Sequence, residues 1–198
     1  YALIIILVFV LGQKIFALLL KCTTEIDLWE LKRYGFKKKQ KLKTGFPVWL
    51  IVPILFGLIT NGFLKWTALL NYEVTPIIPR KARKRYSELT EKEVALIGSG
   101  GPIFSIAFAF IMFLVGFKDL SMLSLWLSFF SLIPLGKTTG TKIFFGEKLL
   151  WILLIIFSLI MIIFLHFITT IGGAIITIIF GAILAVLGGA TAFYFLTK

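Results

Sequence analysis

The chain has 198 residues, 59% of them hydrophobic, with a mean hydropathy of +1.01 and a formal net charge of +12. Apolar runs close to the length that crosses a bilayer core exclude an ordinary water-soluble domain. Cys22 is the only cysteine, which excludes an internal disulfide and a Cys-rich metal motif; the basic excess reads as membrane topology and attraction to anionic headgroups, with no nucleic-acid partner needed.

The first apolar run, about 1–20, predicts a spanning helix. It opens on Tyr1 with neither a basic n-region nor a small-residue cleavage site, so the expectation is a start inside a longer protein rather than a removable signal peptide. Lys14 stands close enough to its end to snorkel. A basic loop over about 21–45 follows, with a polybasic run at 37–43 suited to anionic headgroups. The next apolar run, about 46–70, is punctuated by Pro47, Pro53, Gly57, Asn61 and Gly62 and rimmed by Trp49, Trp66 and Tyr72. A second basic loop, about 71–93, carries Arg80, Lys81, Arg83, Lys84, Arg85 and Lys92. If 46–70 crossed the membrane, the two basic loops would lie on opposite sides, against the cytoplasmic bias of Lys and Arg. A re-entrant excursion instead puts both loops and the C-terminus in the cytoplasm, leaving Lys118 outside and Lys14 and Lys65 within apolar segments; a tilted, Pro-kinked spanning helix over the same run is the alternative.

Thr90 and Glu93 form a capping-box pattern ahead of the next apolar run, about 94–117, so that helix is expected to begin a turn early. Further spans are expected at about 120–135, 149–167 and 171–196. Gly181, Ala185 and Gly189 form a small-residue stripe on the last one, which suits packing on the preceding helix across a turn near 169–172, or else a homo-oligomer contact. The reading is therefore a single membrane domain: an all-α, polytopic bundle of about five spans with one re-entrant, partly strand-like segment.

Residues 131–140 read Ser131, Leu132, Ile133, Pro134, Leu135, Gly136, Lys137, Thr138, Thr139, Gly140. With Pro134 and Gly140 in register, this resembles the asparagine-x-x-proline-x-x-x-leucine-aspartate-glycine signature of the site-2 protease family of intramembrane zinc metalloproteases. Gly100, Gly101 and Pro102, with Ser105 three residues on, resemble that family's alanine-glycine-proline-x-x-asparagine element. Thr24 to Trp29 is similar to the first short strand of its membrane-associated region, and counting back places the H-E-x-x-H positions at Phe9, Val10, Leu11, Gly12 and Gln13. The resemblance implies a zinc held by two histidines one helical turn apart and an aspartate, with a glutamate as base. Here those positions hold Phe9, Gln13, Thr139 and Val10, which cannot supply three ligands and a base. Ser105 and Ser131 stand at the two asparagine positions with a shorter reach. The residues that serve backbone geometry and close approach, Gly101, Pro102, Pro134 and Gly140 among them, are kept.

The resemblance thus implies a catalytically inactive site-2-protease-like protein, with no cofactor unless the zinc site were intact, whose cleft binds or regulates a transmembrane segment of another protein. Two alternatives stay open: an active zinc protease read in the wrong register, and a small transporter or structural subunit. A serine-hydrolase reading of His166 with Asp119, Ser121 and Ser124 lacks a nucleophile-elbow pattern, and Ser99 lacks the rhomboid form.

Overall fold

In the computed structural model the first apolar run is one helix, α1 (Ala2–Leu19). The structure describes residues 1–28, 30–33, 41–61, 70–77, 89–136, 138–167, 179 and 181–190. Trp29, Gly62, Lys65, Trp66, Lys137, the basic runs at 34–40 and 80–85, the turn at 169–172 and the side chain of His166 lie outside the described residues.

At the end of α1, Lys21 adopts a left-handed backbone (φ 55°), and the chain reverses into strand β1 (Cys22–Leu28). Strand β4 (Leu70–Pro76) pairs with it antiparallel, from Cys22 opposite Pro76 to Leu28 opposite Leu70. Between them lie β2 (Leu31–Arg33) paired with β3 (Lys41–Phe46), and helix α2 (Val48–Ile59). The β1/β4 ladder brings residue 70 beside residue 28, so the excursion at 29–69 leaves and returns at one place. The run expected at 46–70 contains a helix of 12 residues, about 18 Å long and short of a bilayer core of about 30 Å. Its face packs Val48, Trp49, Val52 and Phe56 onto Trp126, Phe129 and Phe130.

The strand pair runs back alongside α1 rather than away from it. Tyr72, opposite Ile26, is buried with Ala17, Cys22 and Ile97, while Leu70 packs against the cluster of Ile5, Phe9, Leu120 and Leu127. The pair therefore lies alongside α1. Tyr72 fills space that a side chain at Gly98 would take, and its phenol donates to Val94 O at 2.8 Å. Burial pushes that phenol up from the ordinary tyrosine range, so it remains a neutral donor. Lys142 lies 4.1 Å from the Tyr72 ring centroid and donates to Tyr72 O. Tyr72→Phe is expected to cost about 0.5–1.5 kcal/mol in thermal unfolding, the net value of one hydrogen bond, with the fold kept.

Helix α3 (Glu91–Val115) starts at the expected capping box: Thr90 Oγ1 accepts from Glu93 N at 3.3 Å, and Thr90 N donates to Glu93 Oε2 at 3.1 Å. It ends at Gly116, whose φ of 96° favours glycine. Helix α4 (Lys118–Leu132) has 15 residues where a span at 120–135 was expected, too short for a membrane-length helix. It stops ahead of Pro134, because the residue before a proline is driven out of the helical region. Helix α5 (Thr139–Gly146) follows a turn through Gly136 (φ 61°), and α6 (Lys148–Phe167) follows directly. A last helix, α7 (Gly181–Ala190), is what is described of the 171–196 run.

Among the described residues three helices are long and apolar enough to cross a membrane, namely α1, α3 and α6. The result is a mostly helical bundle with small two-stranded sheets, consistent with a multi-pass membrane protein. One core joins Ile106, Ala109 and Phe113 of α3, Leu125 of α4, and Met161 and Leu165 of α6. Since lipid tails are as apolar as leucine, close packing and interhelical hydrogen bonds carry such contacts. The small-residue stripe of α7 fits α6: a side chain at Gly181 would meet Ile160, and one at Gly189 would meet Leu153. Among the described residues that face is therefore engaged within the chain.

Candidate functional site

The candidate residues gather where α1 crosses α3. Gly12 and Gly100 oppose each other there: a Cβ on Gly12 would collide with Gly100 O, and one on Gly100 with Gly12 O. Two helices lacking side chains at the crossing approach backbone to backbone. Phe16 and Phe104 meet edge to face beside it, with centroids 6.5 Å apart. One turn toward the chain start, the ring of Phe9 covers Gly101, lying 2.7 Å from where a Cβ would be.

Phe9 and Gln13 stand four residues apart, so they share one face of α1. Both are buried, at 1% and 0% exposed, while Val10 is half-buried. Gln13 Nε2 donates to Thr139 Oγ1 at 3.4 Å. This long hydrogen bond joins the first helix to the short one 126 positions later. Among the described residues Gln13 Oε1 has no hydrogen-bond partner, and neither has Ser105 Oγ.

Thr139 reaches Gln13 because of the preceding turn. Thr138 Oγ1 donates to Ile133 O at 2.8 Å and accepts from Leu135 N at 3.2 Å, tying both ends of the loop. Gly140 then lies against the Leu132 carbonyl, which also accepts from Trp151 Nε1 at 2.7 Å. Only glycine permits that approach. Gly140 lies beyond the span expected at about 120–135 and is the second residue of α5, because the loop through Pro134 and Gly136 separates α4 from α5.

The remaining scaffold residues divide. Pro102 is buried and its carbonyl accepts from Ser128 Oγ at 3.3 Å; Ser124 Oγ donates to Ser105 O at 2.8 Å. Ser131 Oγ turns back to Ser128 O on its own helix, and Pro134 is exposed; neither forms a described bond with Gln13 or Thr139. The serines of α4 at positions 124 and 128 thus tie α4 to α3. Ser99 Oγ likewise donates to Leu96 O at 2.7 Å. Thr138, Ser128 and Trp151 organise the site and were missed in the sequence, since a threonine in a loop or a serine in an apolar helix carries no motif.

A zinc binds ligand atoms at about 2.0–2.2 Å in a tetrahedron, which sets two of them about 3.3 Å apart. Gln13 Nε2 and Thr139 Oγ1 stand at nearly that separation, 3.4 Å. The chemistry does not fit the metal. An amide nitrogen that donates its hydrogen has no lone pair to give, the hydroxyl is neutral, and Phe9 has no donor atom. Among the described residues no group of three or more His, Cys, Asp or Glu is placed to hold an ion. No family model, curated protein or solved structure matches this chain.

The Gln13–Thr139 pair has a measurable sign. Thr139→Val strands both polar ends of Gln13 in the core and is expected to cost about 1–3 kcal/mol. Combining it with Gln13→Leu removes the orphaned carbonyl as well, so the double variant should return to wild-type stability or exceed it. Thermal unfolding of the two single variants and the double variant checks this.

Proposed function

We propose that the chain is a non-catalytic membrane protein of the site-2 protease type, which binds or regulates membrane-spanning segments without cleaving them. The observation that carries this reading is the Gln13–Thr139 contact: the positions that the resemblance gives to zinc ligands meet at ligand spacing, with neutral groups that cannot grip a cation. Val10, at the position of the base, has no proton acceptor. Gly12, Gly100 and Gly140 support it from the packing side, because each keeps a backbone approach that a protease cleft of this type would need, while Gly101 leaves room for the Phe9 ring. On this reading α4, short for a full span, and the 171–196 run join α1, α3 and α6 to make about five membrane segments, 46–70 re-enters the membrane, and the basic loops and C-terminus face the cytoplasm.

The test uses purified chain in nanodiscs with a labelled single-span peptide. Binding by energy transfer, with the peptide intact by mass spectrometry after incubation with zinc, is the expected result. Peptide fragments, or transfer no greater than in protein-free nanodiscs, would overturn it.

A further inference from the structure

Beside the last turns of α1 lies a cavity of about 180 Å³, lined by Lys14, Ala17, Leu18, Cys22, Thr23 and Thr24. It sits in the corner where α1 ends and the chain reverses through Lys21 into β1. Ala17 and Cys22 are buried, whereas Lys14 and Leu18, four residues apart on one face of the helix, are exposed. Those two continue the exposed stripe of Leu7 and Leu11, which an apolar spanning helix turns toward lipid. The cavity therefore opens onto the hydrocarbon-facing side of α1, with a cation at its mouth.

The position of Lys14 along the helix decides what that cation can meet. Helix α1 has 18 residues, about 27 Å, nearly the thickness of a bilayer core, so its C-terminal end stands at a membrane interface whichever way the chain is oriented. Lys14 lies about 7.5 Å short of that end. An ammonium among acyl chains is strongly disfavoured, and a lysine at this depth lays its stem along the helix and carries its charge to the headgroup level. Leu18, Thr23 and Thr24 bound the space where that reach ends, and Lys21 stands in the turn between them. Among the described residues neither lysine makes an ion pair, and Glu25, the next carboxylate along β1, does not line the cavity.

We propose that this corner is a binding site for an anionic phospholipid, whose headgroup phosphate is held by Lys14 and Lys21 while an acyl chain lies along Leu7 and Leu11. Phosphate oxygens accept charge-assisted hydrogen bonds from an ammonium, and a basic recess beside a spanning helix at the headgroup level presents that donor where such lipids reside. The apolar stripe leading to the mouth favours a lipid over a free phosphate. The general attraction of a +12 chain to an anionic surface is spread over its basic loops, so a site at Lys14 is recognised by one lipid held more tightly than the rest.

The experiment titrates the purified chain in non-ionic detergent with phosphatidylglycerol or phosphatidylcholine and counts bound lipid by native mass spectrometry. One phosphatidylglycerol, bound about tenfold more tightly than phosphatidylcholine, is the expected result. Lys14→Gln should weaken it about fivefold, whereas Lys118→Gln, the same charge change at the start of α4, should leave it unchanged. Leu18→Trp, which fills the mouth without altering charge, should weaken it as well, and it keeps the test decisive if Lys14→Gln unfolds; thermal unfolding establishes which variants are folded. Equal binding of the two lipids, equal losses in Lys14→Gln and Lys118→Gln, or an unchanged affinity in folded Leu18→Trp would overturn the site. Displacement of the lipid by millimolar glycerol 3-phosphate would overturn the lipid as its occupant.

Discussion

Leucine at Gly12 or at Gly100 is expected to prevent α1 from docking on α3. At each position the missing Cβ faces a carbonyl oxygen of the other helix rather than the end of a flexible side chain, so the helices themselves must separate. Overpacking of this kind costs about 3 kcal/mol or more, at the upper end for small-to-large substitutions. Separation would also pull Phe9 from Gly101 and Gln13 from Thr139, because all four contacts hang on the same crossing. Gly57 supplies the contrast: nothing stands within 4 Å of its would-be Cβ, so Gly57→Leu should change stability by no more than about 0.5 kcal/mol. Thermal unfolding and monodispersity in detergent separate the cases. Equal damage from all three substitutions would mean that the crossing is not where the bundle is held.

The long helices were legible because an unbroken apolar run has one reading in a membrane. Glu91–Val115 was legible to its first turn, since Thr90 and Glu93 spell a cap. Helix α4 was legible as an apolar run, but the role of its buried serines was not: Ser124 and Ser128 bond to α3 and Ser131 to its own backbone, which no local pattern reveals. Strand β4 was hidden for a different reason: Asn71, Tyr72 and Glu73 have no apolar alternation, and burial there comes from a neighbouring helix glycine, Gly98, that local pattern does not reveal. At the cleft, Gln13 was visible as a polar side chain in an apolar helix, and Thr139 through its spacing from Pro134. Their meeting was not, because it depends on a turn tied by Thr138 and on the absence of a Cβ at Gly140.

The second large effect is a gain rather than a loss. If the walls of α1 and α5 meet at ligand spacing and lack only donor chemistry, restoring that chemistry should restore the metal. Phe9→His/Val10→Glu/Gln13→His/Thr139→Asp places two imidazoles one turn apart on α1 and a carboxylate on α5, with a base beside them. Histidine is smaller than the phenylalanine over Gly101, so the crossing is not overfilled. A carboxylate at 139 replaces a hydroxyl that already stands 3.4 Å from the Gln13 amide.

Metal analysis of the wild-type chain and of this fourfold variant, purified side by side, tests the account most directly. The prediction is about one zinc per folded variant chain, as expected for three protein ligands with an open position, and none retained by the wild type. Stoichiometric zinc in the wild type, or a variant that unfolds like the wild type yet holds no zinc, would contradict it.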